Sequence, residues 1–348
     1  MRRSLMGLAL SFSLALGLTT AAQAADDIAV GFVRATAHAP YMVGIEKGIY
    51  AKHDLNVVPK FYTSGIDSLQ GLLTGEQKIT TVGAFPFLIA VSKGIDVVAI
   101  GMIESQANEP NFTVTSLLTA PSAGVTSAAD LAKLKGKKVG LLLGTASEDH
   151  MGGLLDTVGL TPKDVEYVNL APAKAVTALQ TGAVDAINVW EPWTTVAEKT
   201  IPGTTLVVNG AGPCVKCFNT GFMVVARKTL EEEPALLERF WIAHAEAMKY
   251  ARTHSDETAD VASRWIEGVN IDILKAAMKR ANMDPRMTKN IEAGLVNDTM
   301  PFLVKAGLLK AVFDPKPNLD YDIYKKVAAE HPDLFDDMQP VKPEYKLD

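Results

Sequence analysis

Short apolar runs alternate along this chain with stretches whose apolar positions recur every three or four residues. After position 25 the short runs are Ile28 to Val33, Leu55 to Phe61, Ile79 to Val82 and Val97 to Met102. Between them lie Pro40 to Lys52, Ile66 to Leu73 and Phe85 to Lys93, which carry the helical period. The former read as strands and the latter as amphipathic helices, and their alternation builds βαβ units on a mostly parallel sheet. Ligands of such sheets sit beyond the carboxyl ends of the strands, so the loops after the strands are where binding residues belong.

The pattern is sharpest around Val139 to Leu143, an apolar run behind Lys137 and Lys138 that ends at Gly144. Thr145 and Ser147 can each cap the helix that follows through Glu148 to Val158, and its first-turn amides carry the positive end of the helix dipole. A helix end of this kind binds carboxylate, sulfonate or phosphate, although an ordinary strand-to-helix turn has the same local sequence. Further on come an amphipathic run from Pro172 to Thr181, the segment Gly182 to Ile187, and Trp190-Glu191-Pro192-Trp193. Three earlier loops hold polar and small residues. They are Arg34 to Tyr41 with His38 and Tyr41, Thr63-Ser64-Gly65, and Gly83-Ala84-Phe85, where Phe85 is a candidate wall.

These segments carry a resemblance. Leu134 to Gly140, the Gly144 to Ser147 turn, Ala178 to Ala186 and Trp190 to Trp193 resemble the nitrate, sulfonate, taurine and thiamine-precursor group of periplasmic binding proteins of ABC importers. Gly44 to Tyr50, Leu55 to Val57, Thr74 to Glu76 and Thr81 to Gly83 are similar as well. The resemblance implies an α/β, two-lobed periplasmic binding protein fold, each lobe a mostly parallel sheet flanked by helices, with a two-crossing hinge. Lobe one is expected over residues 25–111 and 226–348, and lobe two over 112–225. It further implies a solute held between the lobes by His38, Tyr41, Ser64, Gly65, Ala84 and Phe85 from one side. Gly144, Thr145, Ala146, Ser147, Trp190, Glu191 and Trp193 face it from the other.

Composition narrows the partners. Met1 to Ala24 has Arg2 and Arg3, an apolar run from Leu5 to Leu18 and Ala22-Gln23-Ala24, the form of a secretory signal peptide, and predicts delivery to the periplasm. Losing the two arginines takes the net charge from -6 to -8. An acidic balance without clustered Lys and Arg argues against nucleic acid as a partner. The expected partners are a small-molecule ligand and an inner-membrane ABC permease with its ATPase, and the chain is expected to be a monomer without cofactor or metal.

Cys214 and Cys217 are the only cysteines. In an exported chain the short spacing suits a disulfide. Phe218 in place of a histidine removes the c-type haem signature, and no second cysteine pair completes a zinc site. A relative of the fold, the eukaryotic thiamine-pyrimidine synthase, has a cysteine-rich segment before an equivalent strand, so an exported enzyme of that kind is the competing reading. That enzyme has a lysine and a histidine in the loop matching Gly83 to Leu88, and this chain has neither there. The chain is therefore expected to transport and not to catalyse. The expected solute is a small organic anion, with a sulfonate, an aromatic carboxylate, a pyrimidine precursor and a larger polycarboxylate cofactor all open. Glu191 could receive a ligand amine or face solvent.

Overall fold

A computed structural model describes residues 25–105, 107–109 and 113–348. The signal peptide expected at 1–24 and the outgoing crossing expected at 111/112 lie outside the described residues. Two sheets of five strands each organise the rest.

The first sheet contains β1 (Asp26–Val33), β2 (Leu55–Tyr62), β3 (Ile79–Gly83), β4 (Val97–Glu104) and β10 (Gly221–Ala226), in the order β2-β1-β3-β10-β4. β1 runs parallel to β2, with Asp26 opposite Leu55, and to β3, with Val30 opposite Ile79. β10 is antiparallel to both neighbours. The second sheet contains β5 (Thr115–Thr119), β6 (Lys138–Leu141), β7 (Glu166–Asn169), β8 (Ala186–Trp190) and β9 (Thr205–Asn209), in the order β7-β6-β8-β5-β9. Here β5 is the reversed strand, antiparallel to β8 and β9. Each sheet is thus parallel except for the strand by which the chain enters it from the other. Both are flanked by helices, as the α/β alternation requires.

β10 corrects one boundary. Residues 221–225 were expected in lobe two, but Phe222 to Val225 are fully buried between β3 and β4 of the first sheet. An unbroken apolar run can occupy a central strand covered on both faces, and this is where the tertiary structure uses it. The return passage therefore lies between β9 and β10. Beyond β10 the chain is helical but not continuous. The chain breaks at Glu233, and α7 (Pro234–Thr253) begins afresh with proline in its first turn, where the missing N–H costs nothing.

The helices that matter for the site are α1 (Ala39–Glu46), α2 (Gly65–Leu73), α3 (Ala84–Ser92), α4 (Ala146–Asp156), α5 (Pro172–Gln180), α6 (Trp193–Thr200) and α8 (Ile271–Met278). Apolar clusters cover both faces of each sheet. Trp241 on α7 anchors one of them and donates from Nε1 to the Ile100 carbonyl at 2.8 Å, so its buried N–H is satisfied. α8 packs with the first-sheet core and also touches α6, which belongs to the second sheet.

Candidate functional site

A cavity of about 520 Å³ opens where the carboxyl ends of strands from both sheets meet. The first sheet contributes the loop after β1 through Thr36 and His38, Gly83 at the end of β3, Glu104 at the end of β4, and Thr220 ahead of β10. The second contributes Ser116 on β5, Thr145 and Ala146 at the start of α4, Trp190 at the end of β8 with Glu191 after it, and Asn209 at the end of β9 with the turn to Gly212. Arg280 and Asn282, just beyond α8, close one side.

Local chemistry builds each wall. Gly144 turns the chain at φ 76°, a conformation open to glycine, and Thr145 is then the extended cap of α4. The Thr145 hydroxyl accepts from the Ser147 amide at 3.3 Å and donates to the Leu142 carbonyl at 2.6 Å. The Gly144 amide donates to the Glu148 carboxylate at 2.7 Å, so part of the positive helix end is neutralised from within. Gly65 lets α2 approach β3 closely, since a Cβ there would lie 3.2 Å from the Val82 Cα.

The cavity is mainly acidic. Glu104, Glu109, Glu191 and Arg280 are its charged groups among the described residues. Burial pushes Glu104 up to about 8, the Asn282 amide pulls it back, and the negative charge of Glu191 raises it further. Glu191 is also raised by burial, against bonds from Thr195 and Arg280. Its carboxylate accepts from the Thr195 amide at 3.1 Å and from Arg280 at 3.3 Å. Arg280 in turn donates to Glu198 at 2.6 Å and reaches the Thr195 hydroxyl at 3.4 Å. His38 is 8 % exposed, neither ring nitrogen has a partner among the described residues, and burial lowers it to about 3, so its imidazole is neutral.

Of the residues expected at the site, His38, Gly65, Thr145, Ala146, Trp190 and Glu191 border the cavity. Tyr41, Ser64, Ala84, Phe85, Gly144, Ser147 and Trp193 do not. Tyr41 is buried, with its ring stacked 4.0 Å from that of His244 on α7. Phe85 points into the first-sheet core towards Phe302. Ala84 is buried beside it, and Ser64 caps α2 through the Asp67 amide. The Ser147 side chain is buried, and Trp193 packs between clusters of the two sheets. Cys214 and Cys217 are joined in a disulfide, Cα to Cα 5.5 Å, and Cys214 borders the cavity. Sequence reasoning missed Glu104, Arg280 and Asn282. Glu104 had a signal, as the first charged residue after the apolar β4, but Arg280 follows an ordinary amphipathic helix and had none.

A family model described as NMT1/THI5 like matches residues 35–258, well over half of the chain. The chain belongs to the NMT1/THI5-like family. Among relatives of this NMT1/THI5-like chain, the "Putative aliphatic sulfonates-binding protein" of Bacillus subtilis (strain 168) is 26 % identical over 299 residues, covering 84 % of this chain and 86 % of its own. Among solved structures, the alkanesulfonate-binding protein SsuA from Xanthomonas axonopodis pv. citri bound to MOPS superposes with a TM-score of 0.71 at 16 % identity. It covers 84 % of this chain and 98 % of its own. The desulfurization enzyme DSZB shares the fold at a TM-score of 0.61 and 17 % identity, over 88 % of this chain and all of its own. The fold is that of periplasmic binding proteins, and the named sulfonate relatives are binding proteins. Among the described residues no helix is long and apolar enough to cross a membrane.

Proposed function

We propose that this chain is the solute-binding component of an ABC importer, exported to the periplasm, where it captures a small organic solute and passes it to an inner-membrane permease driven by its ATPase. The observation that carries the reading is the cavity itself, set between two sheets that the chain joins by passing out before β5 and back before β10. Two connecting passages form a hinge, and closure of the sheets on a solute would bury it. The volume suits a molecule of metabolite size, since ligand pockets of about 300 to 1,000 Å³ are usual. In this reading the acidic group of the solute rests at the Thr145 and Ala146 end of α4, and its body lies against Trp190.

The competing enzyme reading has support in the shared fold of DSZB. Against it, the cysteine at the cavity is tied in a disulfide and offers no thiolate, and His38 is held neutral. Calorimetry against a library of organosulfonates, aromatic carboxylates and heterocyclic acids tests the receptor reading. The expected result is stoichiometric binding, a smaller radius of gyration in solution scattering, and full recovery of the unchanged ligand. Conversion of the ligand under these conditions would overturn it in favour of catalysis.

A further inference from the structure

We infer that the solute of this cavity presents a nitrogen donor, as a protonated amine or amidine, to Glu104, with Glu191 beside it, while its acidic end faces α4. The inference rests on the receptor reading above and narrows the class of solute to a zwitterion or amino-bearing acid.

The geometry points there for a simple reason of charge. Three acidic side chains and one guanidinium border the cavity, and that guanidinium is already engaged by Glu191 and Glu198. The end of the solute away from α4 therefore meets acidic groups and no unengaged cation among the described residues, and a further negative charge buried there without a partner would be costly. Glu104 differs from Glu191 in being little used by the protein. Glu191 accepts from both Thr195 and Arg280, whereas Glu104 has, among the described residues, the Asn282 amide as its one favourable neighbour. A second observation is independent of the acids. His38 borders the same cavity, is nine-tenths buried, and has no partner at either ring nitrogen among the described residues, so this wall too holds hydrogen-bonding capacity that they leave unused.

The titration of Glu104 adds a sign that can be measured. Burial and Glu191 keep its carboxyl protonated up to about pH 8. Glu191 acts on it through its charge and the Asn282 amide through a hydrogen bond, while Glu109, Arg280 and the neutral His38 border the same cavity. An ammonium ligand favours the ionised carboxylate, so its binding expels the Glu104 proton and tightens as pH rises towards about 8. A bare anion would be served by the protonated carboxyl as a donor, and its binding would weaken over the same range.

Matched pairs test this: taurine against ethanesulfonate, and aminomethylbenzoate against methylbenzoate, each titrated into the full mature chain by calorimetry from about pH 6.5 to 8.5. The amino member of at least one pair is expected to bind about tenfold tighter or better and to gain affinity with pH. Glu104→Gln should bring the two members within about twofold and flatten the pH dependence. The wild-type pH profile keeps the test valid if that variant folds poorly. Equal affinities within every pair, or affinity that falls with rising pH, would overturn the nitrogen-donor assignment and leave the receptor reading standing. Binding by no member of either pair, while an acid without a nitrogen donor from the wider library binds, would likewise overturn the assignment alone, and binding by nothing in that library would overturn both.

Discussion

Arg280 ties the two sheets together at one side of the cavity, and its removal is the sharpest test of how they are held. It follows α8, which packs with the first-sheet core, and it reaches Glu198 and Glu191 on and before α6 of the second. The side chains of Arg280 and Glu198 are each 28 % exposed, and that of Glu191 is 13 % exposed. The bond to Glu198 at 2.6 Å is short, whereas those to Glu191 at 3.3 Å and Thr195 at 3.4 Å are long. One good charge-assisted bond in a partly buried setting contributes about 1.5 to 3 kcal/mol, and the long contacts add little. Exposed pairs contribute less than about 1 kcal/mol, so partial exposure places the expectation for Arg280→Met near 2 kcal/mol of lost stability. At about 2 °C per kcal/mol for a chain of this size, the melting midpoint should fall by about 4 °C. Urea unfolding of wild type, Arg280→Met, Glu198→Gln and the double variant isolates the pair, with an expected coupling of about 1 to 2 kcal/mol. Glu198 is chosen because it does not border the cavity. Additivity within about 0.3 kcal/mol would show that the bridge contributes nothing and that apolar contacts between α6 and α8 hold the sheets together.

Three further outcomes are expected from the same packing. Asp149 on α4 is buried, accepts from Asn219 at 2.9 Å, and is pushed up to about 8 by burial, with Asp298 and Glu148 adding to the shift. The folded state therefore keeps a proton that the unfolded chain releases near its ordinary value. Stability is full in acid and is lost as pH rises from about 4 to about 8, and Asp149→Asn should flatten this slope in denaturant titrations; an unchanged slope would refute the assignment. Gly153→Ala on α4 should lower the melting midpoint, because a Cβ there would lie 2.7 Å from the Cys214 sulfur and overpacking costs about 1 to 3 kcal/mol against a helix-propensity gain of about 1; a rise in the midpoint would contradict that packing. With a ligand in hand, Trp190→Ala and Thr145→Val should each weaken binding in calorimetry, and affinities within about twofold of wild type for both, under about 0.4 kcal/mol, would move the site to other loops.

Much of this molecule is legible in local sequence. Strand and helix alternation, the turn at Gly144 and the cap at Thr145 depend on residues close together, and burial of an apolar run or capping of a helix end is decided within a turn or two. The family resemblance likewise rests on scaffold segments, so the fold and the broad class of relatives could be read before any coordinates. What the sequence could not decide is which side chains face the cleft. Tyr41 and Phe85 sit in loops or first turns that suit a pocket wall, yet Tyr41 stacks on His244 and Phe85 meets Phe302, partners brought in by helices far along the chain. Arg280 meets Glu191 across 89 residues, and no periodicity near either predicts it. The acidity of the cavity has the same origin. Glu104 ends a strand of one sheet and Glu191 follows a strand of the other, and only the tertiary arrangement of the two makes them neighbours whose charges act on each other. Electrostatic identity depends on distance and burial, which the tertiary structure sets, whereas strand and helix depend on the chain's local chemistry.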